Sequence, residues 1–131
     1  MINKLSESKD LSDTNVPSQQ QLASLLGLYQ NRRFSDAEKL ALYITEQFPK
    51  HQLAWKVLGA IFGQTGRKLK AIEAQQEAIA LSPQDSETHS NLGITLKDLG
   101  RLEEAVTSFT KAIALKPDYP EAYYNLGIEL K

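Results

Sequence analysis

Residues Ser86–Tyr119 (SETHSNLGITLKDLGRLEEAVTSFTKAIALKPDY) reappear in outline when the chain is shifted by 34 positions. Pro49, Pro83 and Pro117 keep that step, as do Ala37, Ala71 and Ala105. So do Leu58, Leu92 and Leu126, the glycines 59, 93 and 127, and the bulky set Leu28, Phe62, Leu96 and Leu130. A fixed period of this length marks units that cannot bury their apolar faces alone and must stack on one another. The chain is therefore constrained to an array before any single residue is interpreted.

Each unit reads as two helices. In the third, Leu92, Leu96 and Leu99 fall at helical spacing, and Ala105, Phe109 and Ala112 repeat this on the partner. The second offers Trp55, Leu58 and Phe62, then Ala71, Ala74, Ala78 and Leu81. The first offers Leu22, Leu25, Leu26, Leu28 and Tyr29, then Ala37, Leu40, Ala41, Ile44 and Phe48. Ser35-Asp-Ala-Glu38 has the form of a capping box and predicts a helix start there. Gly66 and Gly100 stand where a helix must close, and each second helix stops before a proline. Gly93 with Ala105, and Gly59 with Ala71, predict close approach of two backbones. Pro120 suits the first turn of a further helix, predicted over 120–131, that covers an apolar stripe of Val106 and Ile113. Residues 1–17 lie outside the repeat and read as a flexible arm ending at Pro17. The predicted divisions are 18–51, 52–85 and 86–119 for three repeats, and 120–131 for a single helix of a fourth.

Composition narrows the function classes. A net charge of −1 with interspersed Lys, Arg, Asp and Glu leaves no basic surface for nucleic acid. The absence of cysteine removes disulfides, thiolate metal sites and a cysteine nucleophile. No apolar run is long enough to span a bilayer and no leader is visible, so a cytoplasmic location is the default expectation. His51 and His89 are isolated; His89 takes the column filled by Trp55 and Tyr123, which fits packing better than a metal. Glu73, Glu77, Glu103 and Glu104 read as solvated outer charges, and no phosphate loop or nucleophile motif occurs. No catalytic residue, metal or cofactor is expected.

Trp55-x-x-Leu58-Gly59-x-x-Phe62 with Gly66, Ala71, Ala78 and Pro83 resembles the signature of the tetratricopeptide repeat. Asn91-Leu92-Gly93 with Leu96, Gly100, Ala105, Phe109, Ala112 and Pro117 matches it again. The first unit departs most, with Gln21, Ser24, Leu25 and Arg32 in the aromatic, leucine, glycine and helix-ending glycine positions. The resemblance covers residues 18–131. It implies an all-α, right-handed superhelical solenoid of antiparallel helix pairs, here seven helices, whose first helices line a concave groove. Members of that family are mostly non-catalytic scaffolds that bind proteins or peptides.

Carried over by column, the groove would be lined by Leu22, Leu26 and Tyr29, then Leu53, Lys56, Ala60 and Gln64. Glu87, Ser90, Asn91, Ile94 and Lys97 follow, and Glu121, Tyr124, Asn125 and Ile128 come from the last helix. Asn91 and Asn125, 34 apart, suit an asparagine ladder that reads a peptide backbone; equally, asparagine tolerates a half-exposed helix position. Leu22, Leu26, Tyr29 and Leu53 suit apolar peptide side chains, or the arm through Leu5 or Leu11, or mere burial of the first helix. The set is too weakly cationic to clamp the paired carboxylates of chaperone C-terminal tails.

Asn125-Leu126-Gly127 keeps the full signature, which points to a protein continuing past Lys131; a natural end cap is the alternative. The leading expectation is a protein- or peptide-binding scaffold. The others are self-association through an exposed last helix and the substrate-recruiting part of a larger enzyme.

Overall fold

The computed structural model describes residues 16–127. Seven helices and no strand occur among them. They are α1 (Gln19–Gln30), α2 (Phe34–Gln47), α3 (Gln52–Gln64), α4 (Lys68–Leu81), α5 (Ser86–Asp98), α6 (Leu102–Leu115) and α7 (Pro120–Leu126). Three-residue links (31–33, 65–67, 99–101) alternate with four-residue links (48–51, 82–85, 116–119). Links this short lay each helix antiparallel along the one before. Every helix packs on its successor, and in addition α1 touches α3 and α3 touches α5. The outer helices α2, α4 and α6 make no comparable contacts with one another. The inner row is drawn together, so the array bends around α1, α3 and α5 and that side is concave.

The three tight links share one construction. The amides of Arg33, Arg67 and Arg101 each bond back to the carbonyl of Leu28, Phe62 or Leu96, all at 2.9 Å. This is the six-to-one bond of a Schellman motif, and it needs a left-handed residue just before the arginine. Gly66 and Gly100 supply it with φ of 81° and 79°, and Arg32 is forced to 60°. A side chain in that region costs about 1–2 kcal/mol. Arg32→Gly is therefore expected to be about 1 kcal/mol more stable than Arg32→Ala in urea unfolding. Equal midpoints would mean the first link is not left-handed in solution.

The arginine column 33, 67 and 101 is a regularity of its own. Each residue opens an outer helix, its carbonyl accepting the amide of Ala37, Ala71 or Ala105. Arg33 and Arg101 turn to Asp36 and Glu104 within their own helices. Arg67 reaches Glu38 of the preceding pair through both guanidinium nitrogens, over the ring of Phe62 at 4.8 Å. The hydrogen bonds from Arg67 hold the Glu38 carboxyl below its usual pKa.

This corrects one expectation. The capping box predicted at Ser35–Glu38 does not form: α2 starts at Phe34 behind Arg33, with no side-chain cap. Glu38 is engaged by Arg67 instead. The reciprocal box is at the start of α1, where Ser18 Oγ accepts the Gln21 amide and Gln21 Oε1 accepts the Ser18 amide. From α1 it is Leu25 that is fully buried, while Leu22 and Leu26 are half-buried.

The close approach expected at the glycines involves further side chains. A Cβ on Gly93 would first meet the ring of Phe109, at 2.7–2.8 Å. The equivalent Cβ on Gly59 would meet Gln75 Cγ at 2.8 Å and the Ala71 carbonyl oxygen at 3.6 Å, so the backbones of α3 and α4 do approach closely there. Gly127 shares their column but has nothing within 4 Å, and it adopts φ 80° and closes α7 at Leu126. The helix predicted over 120–131 is described as Pro120–Leu126, and positions 128–131 lie outside the described residues. Val106 remains 50 % exposed, so the stripe of Val106 and Ile113 is covered only at Ile113.

Candidate functional site

A cleft of about 570 Å³ opens on the concave side across α1, α3 and α5. Nine of the residues carried over by column line it: Leu26, Tyr29, Leu53, Lys56, Ala60, Gln64, Glu87, Asn91 and Ile94. Their placement follows from spacing. Lys56, Ala60 and Gln64, and likewise Glu87, Asn91 and Ile94, recur every three or four residues on one helical face.

The other candidates lie elsewhere. Leu22 sits half-buried on α1, off the lining. Lys97, Tyr124 and Asn125 border a separate hollow of about 310 Å³ with Leu102, Val106 and Phe109. Glu121 is exposed on α7, and Ile128 lies outside the described residues, as do Leu5 and Leu11 of the arm. Ser90 is 2 % exposed and belongs to the interior. The reason is visible one repeat earlier. Lys56, in the column of Ser90, meets Asp85, in the column of Tyr119. Between the third and fourth units the same contact is made by a short Ser90 and a large buried Tyr119, which closes over it.

The two asparagines are also separated. Asn91 lines the cleft, whereas Asn125 lies in the smaller hollow and donates from Nδ2 to the Glu121 carbonyl at 2.8 Å. They do not form a continuous ladder on one surface.

Charge in the cleft is compensated. Lys56 Nζ contacts Asp85 at 3.0 Å and Glu87 at 2.7 Å. Burial disfavours its charge, but the hydrogen bonds to Glu87 and Asp85 together raise its pKa above the usual lysine value. Burial likewise disfavours the Asp85 carboxylate, and bonds from Lys56, Thr88 and Gln52 outweigh it and lower its pKa. Asp85 also caps α5 by accepting the Glu87 amide. Lys68 Nζ pairs with Asp98 at 3.1 Å. Both lining lysines are thus paired with carboxylates, Lys56 with Asp85 and Glu87 and Lys68 with Asp98.

Column carry-over missed Gln30, Val57, Gly59, Gly63, Lys68, Gln75, Thr95 and Asp98 in the lining. Lys68 and Gln75 were missed because they belong to α4, an outer helix. A signal for Gln75 was present: it stands 34 residues before Phe109, a polar residue in an apolar column. The aromatic column is explained by the structure. Trp55 Nε1 donates to the Pro49 carbonyl at 2.8 Å, and His89 Nε2 lies 3.0 Å from the Pro83 carbonyl. Each thus ties its helix to the link before it.

Family comparison decides the class. Tetratricopeptide repeat models match residues 22–86 and 74–107, and a TPR repeat model matches 95–128. The chain is a tetratricopeptide-repeat protein. Sequence comparison with curated proteins gives no significant match. Among solved structures, this repeat array is similar to MamA, with TM-score 0.81 and 23 % identity over 92 % of this chain and 70 % of that one. It is similar to the first TPR domain of Spaghetti (RPAP3) bound to the HSP90 peptide SRMEEVD, with TM-score 0.80 and 19 % identity over 86 % and 92 %. It is also similar to the Yersinia enterocolitica type III secretion chaperone SycD in complex with a peptide of the translocator YopD. There the TM-score is 0.78 and the identity 19 % over 83 % and 88 %. At these identities the likeness is one of fold. No helix of the described repeats is long and apolar enough to cross a membrane.

Proposed function

We propose that this repeat array is a non-catalytic scaffold that binds a peptide or an extended protein segment in the cleft over α1, α3 and α5. The observation that carries this is the cleft's make-up. An apolar wall of Leu26, Tyr29, Leu53 and Ala60 adjoins a floor whose lysines are already paired. Such a surface favours apolar side chains over a carboxylate-rich tail, because an acidic peptide would have to displace Asp85, Glu87 and Asp98 from their lysines. The SRMEEVD peptide held by the Spaghetti domain is therefore not the ligand class supported here. The carboxylates that adjoin the cleft are paired too, which supports binding over acid–base chemistry. The same role would serve a larger enzyme that recruits its substrate through this array.

Selection of a random peptide display library on the protein is expected to enrich sequences with paired apolar side chains. Tyr29→Ala with Leu53→Ala should weaken the selected peptides about tenfold or more, since burying one such side chain contributes about 1.5–3 kcal/mol. Synthetic SRMEEVD should not compete. Selected peptides indifferent to both substitutions would sink the proposal.

A second reading rests on the column of Ile72 and Val106. Ile72 is 6 % exposed because the third unit covers it, while Val106 is 50 % exposed beside Leu102 and Tyr124. That mismatch supports self-association through the exposed face of α6. Light scattering across concentration checks it, a strict monomer removing it.

A further inference from the structure

The convex side of the array carries another hollow, of about 610 Å³, that shares no lining residue with the concave cleft. It opens between the outer helices α2 and α4, which the bend of the array spreads apart, and its floor is the back of α3. Leu58 and Phe62 of that floor are buried and Trp55 is half-buried. Leu42 of α2 walls one side and is 45 % exposed, and Ala74 begins the other. Lys70, Glu73 and Glu77 stand on the rim, on one face of α4 over two turns, or about 10 Å.

Stacking does not require this surface. One unit on, the columns of Leu42, Trp55, Ala74 and Glu77 hold Gln76, His89, Ser108 and Lys111, and the units there stack without them. An apolar hollow with a charged rim is the form that docking surfaces take. Its chemistry selects the occupant. Trp55 Nε1 is already spent on the Pro49 carbonyl, so the floor offers a ligand no hydrogen bond. An extended segment laid there would bury main-chain N–H and C=O groups without partners, whereas a helix satisfies its own. The rim adds a charge requirement. Lys70 turns to the Phe62 ring, 5.7 Å from its centroid, and among the described residues neither Glu73 nor Glu77 pairs with a cation. We propose that this convex hollow docks an amphipathic helix of a partner protein. Bulky apolar side chains at i and i+4 enter between α2 and α4, and a lysine or arginine beside them meets Glu73 and Glu77. The site is separate from the concave cleft, so α3 presents a binding surface on each of two faces.

Trp55 is the chain's single tryptophan and lies on the floor, so its emission reports on this hollow. The probes are short hydrocarbon-stapled helices without tryptophan, carrying Leu or Phe at i and i+4 and flanked by either Lys or Glu. Lys-flanked helices are expected to move the Trp55 emission to shorter wavelength. Glu-flanked ones should bind about tenfold more weakly at low salt, the difference shrinking as salt screens the rim. Leu42→Glu should abolish the emission change while leaving the helical circular dichroism of the array as it was. Glu73→Lys with Glu77→Lys, both at exposed positions, should reverse the preference between flanks. Tyr29→Ala with Leu53→Ala should leave helix binding intact. An emission unmoved by any helix, helices that bind Leu42→Glu as they bind wild type, or indifference to the flank would each overturn the proposal. Proline-locked extended peptides of the same composition that move the emission where the helices do not would overturn it too. Helix binding lost in Tyr29→Ala with Leu53→Ala would place the probes in the concave cleft, overturning this proposal while leaving the peptide-binding reading standing.

Discussion

Gly93→Leu is expected to lower the unfolding free energy by about 3 kcal/mol, and Gly93→Ala by about 1. Two effects oppose each other at this position. Alanine in a helix interior gains roughly 0.5–1 kcal/mol over glycine through the unfolded chain. Against this, the new methyl would sit 2.7–2.8 Å from three atoms of a Phe109 ring buried between α5 and α6. The ring cannot withdraw without opening the core that also holds Leu92, Leu96 and Ala112. Overpacking wins, and a leucine adds volume with nowhere to go. Urea unfolding followed by helical circular dichroism reads the effect. Trimming the ring should recover part of it, so that Gly93→Ala with Phe109→Leu loses less than the two separate losses combined. A Gly93→Leu protein with an unshifted midpoint would show that α5 and α6 do not meet at this residue.

Asp85→Ala is expected to cost about 2–4 kcal/mol, the larger part from the contact between the second and third units. One carboxylate accepts the Glu87 amide at the start of α5, the Thr88 hydroxyl at 2.9 Å, Gln52 Nε2 at 2.9 Å and Lys56 Nζ at 3.0 Å. Losing the cap alone costs about 1 kcal/mol. The remainder arises because Thr88 is fully buried, and its hydroxyl would lose its acceptor. The acid response has a definite sign. The Asp85 pKa is lowered in the folded protein, so its contribution is complete above the ordinary aspartate value near ~3.9. It is lost as pH falls through the lower folded value, because the unfolded chain takes up that proton first. Glu38 titrates in the same direction. The stability gap between wild type and Asp85→Asn isolates Asp85: it should be constant at neutral pH and shrink in acid. A gap that does not change with pH would mean the carboxylate is not the group responsible.

Much of this architecture is legible in the residues, for a physical reason. Stacked similar units repeat their constraints, so each proline and each apolar column recurs from unit to unit, and the link glycine is stated twice. Arg32 could be read as a displaced glycine because two neighbours named the position. What could not be read is what crosses between units. Glu38 looked like part of a cap because Ser35 precedes it, yet its partner Arg67 lies 29 residues on and at a different place in the repeat. Ser90 matched the column of Lys56, and only the size of Tyr119 sends it inward. Gln75 escaped because reading by column assigns the concave surface to inner helices, whereas thin glycine positions on α3 let α4 reach the cleft.

On the proposed binding role, the burial of Ser90 beneath Tyr119 sets the length of segment that this cleft can take. The cleft crosses three inner helices and none of its lining belongs to α7. Neighbouring helix axes lie about 8–10 Å apart, so two such steps measure roughly 20 Å. An extended chain covers about 3.3–3.6 Å per residue, which makes the footprint about six residues long. On the proposed binding role this cleft would act as a short ruler, gripping about six residues of a bound segment.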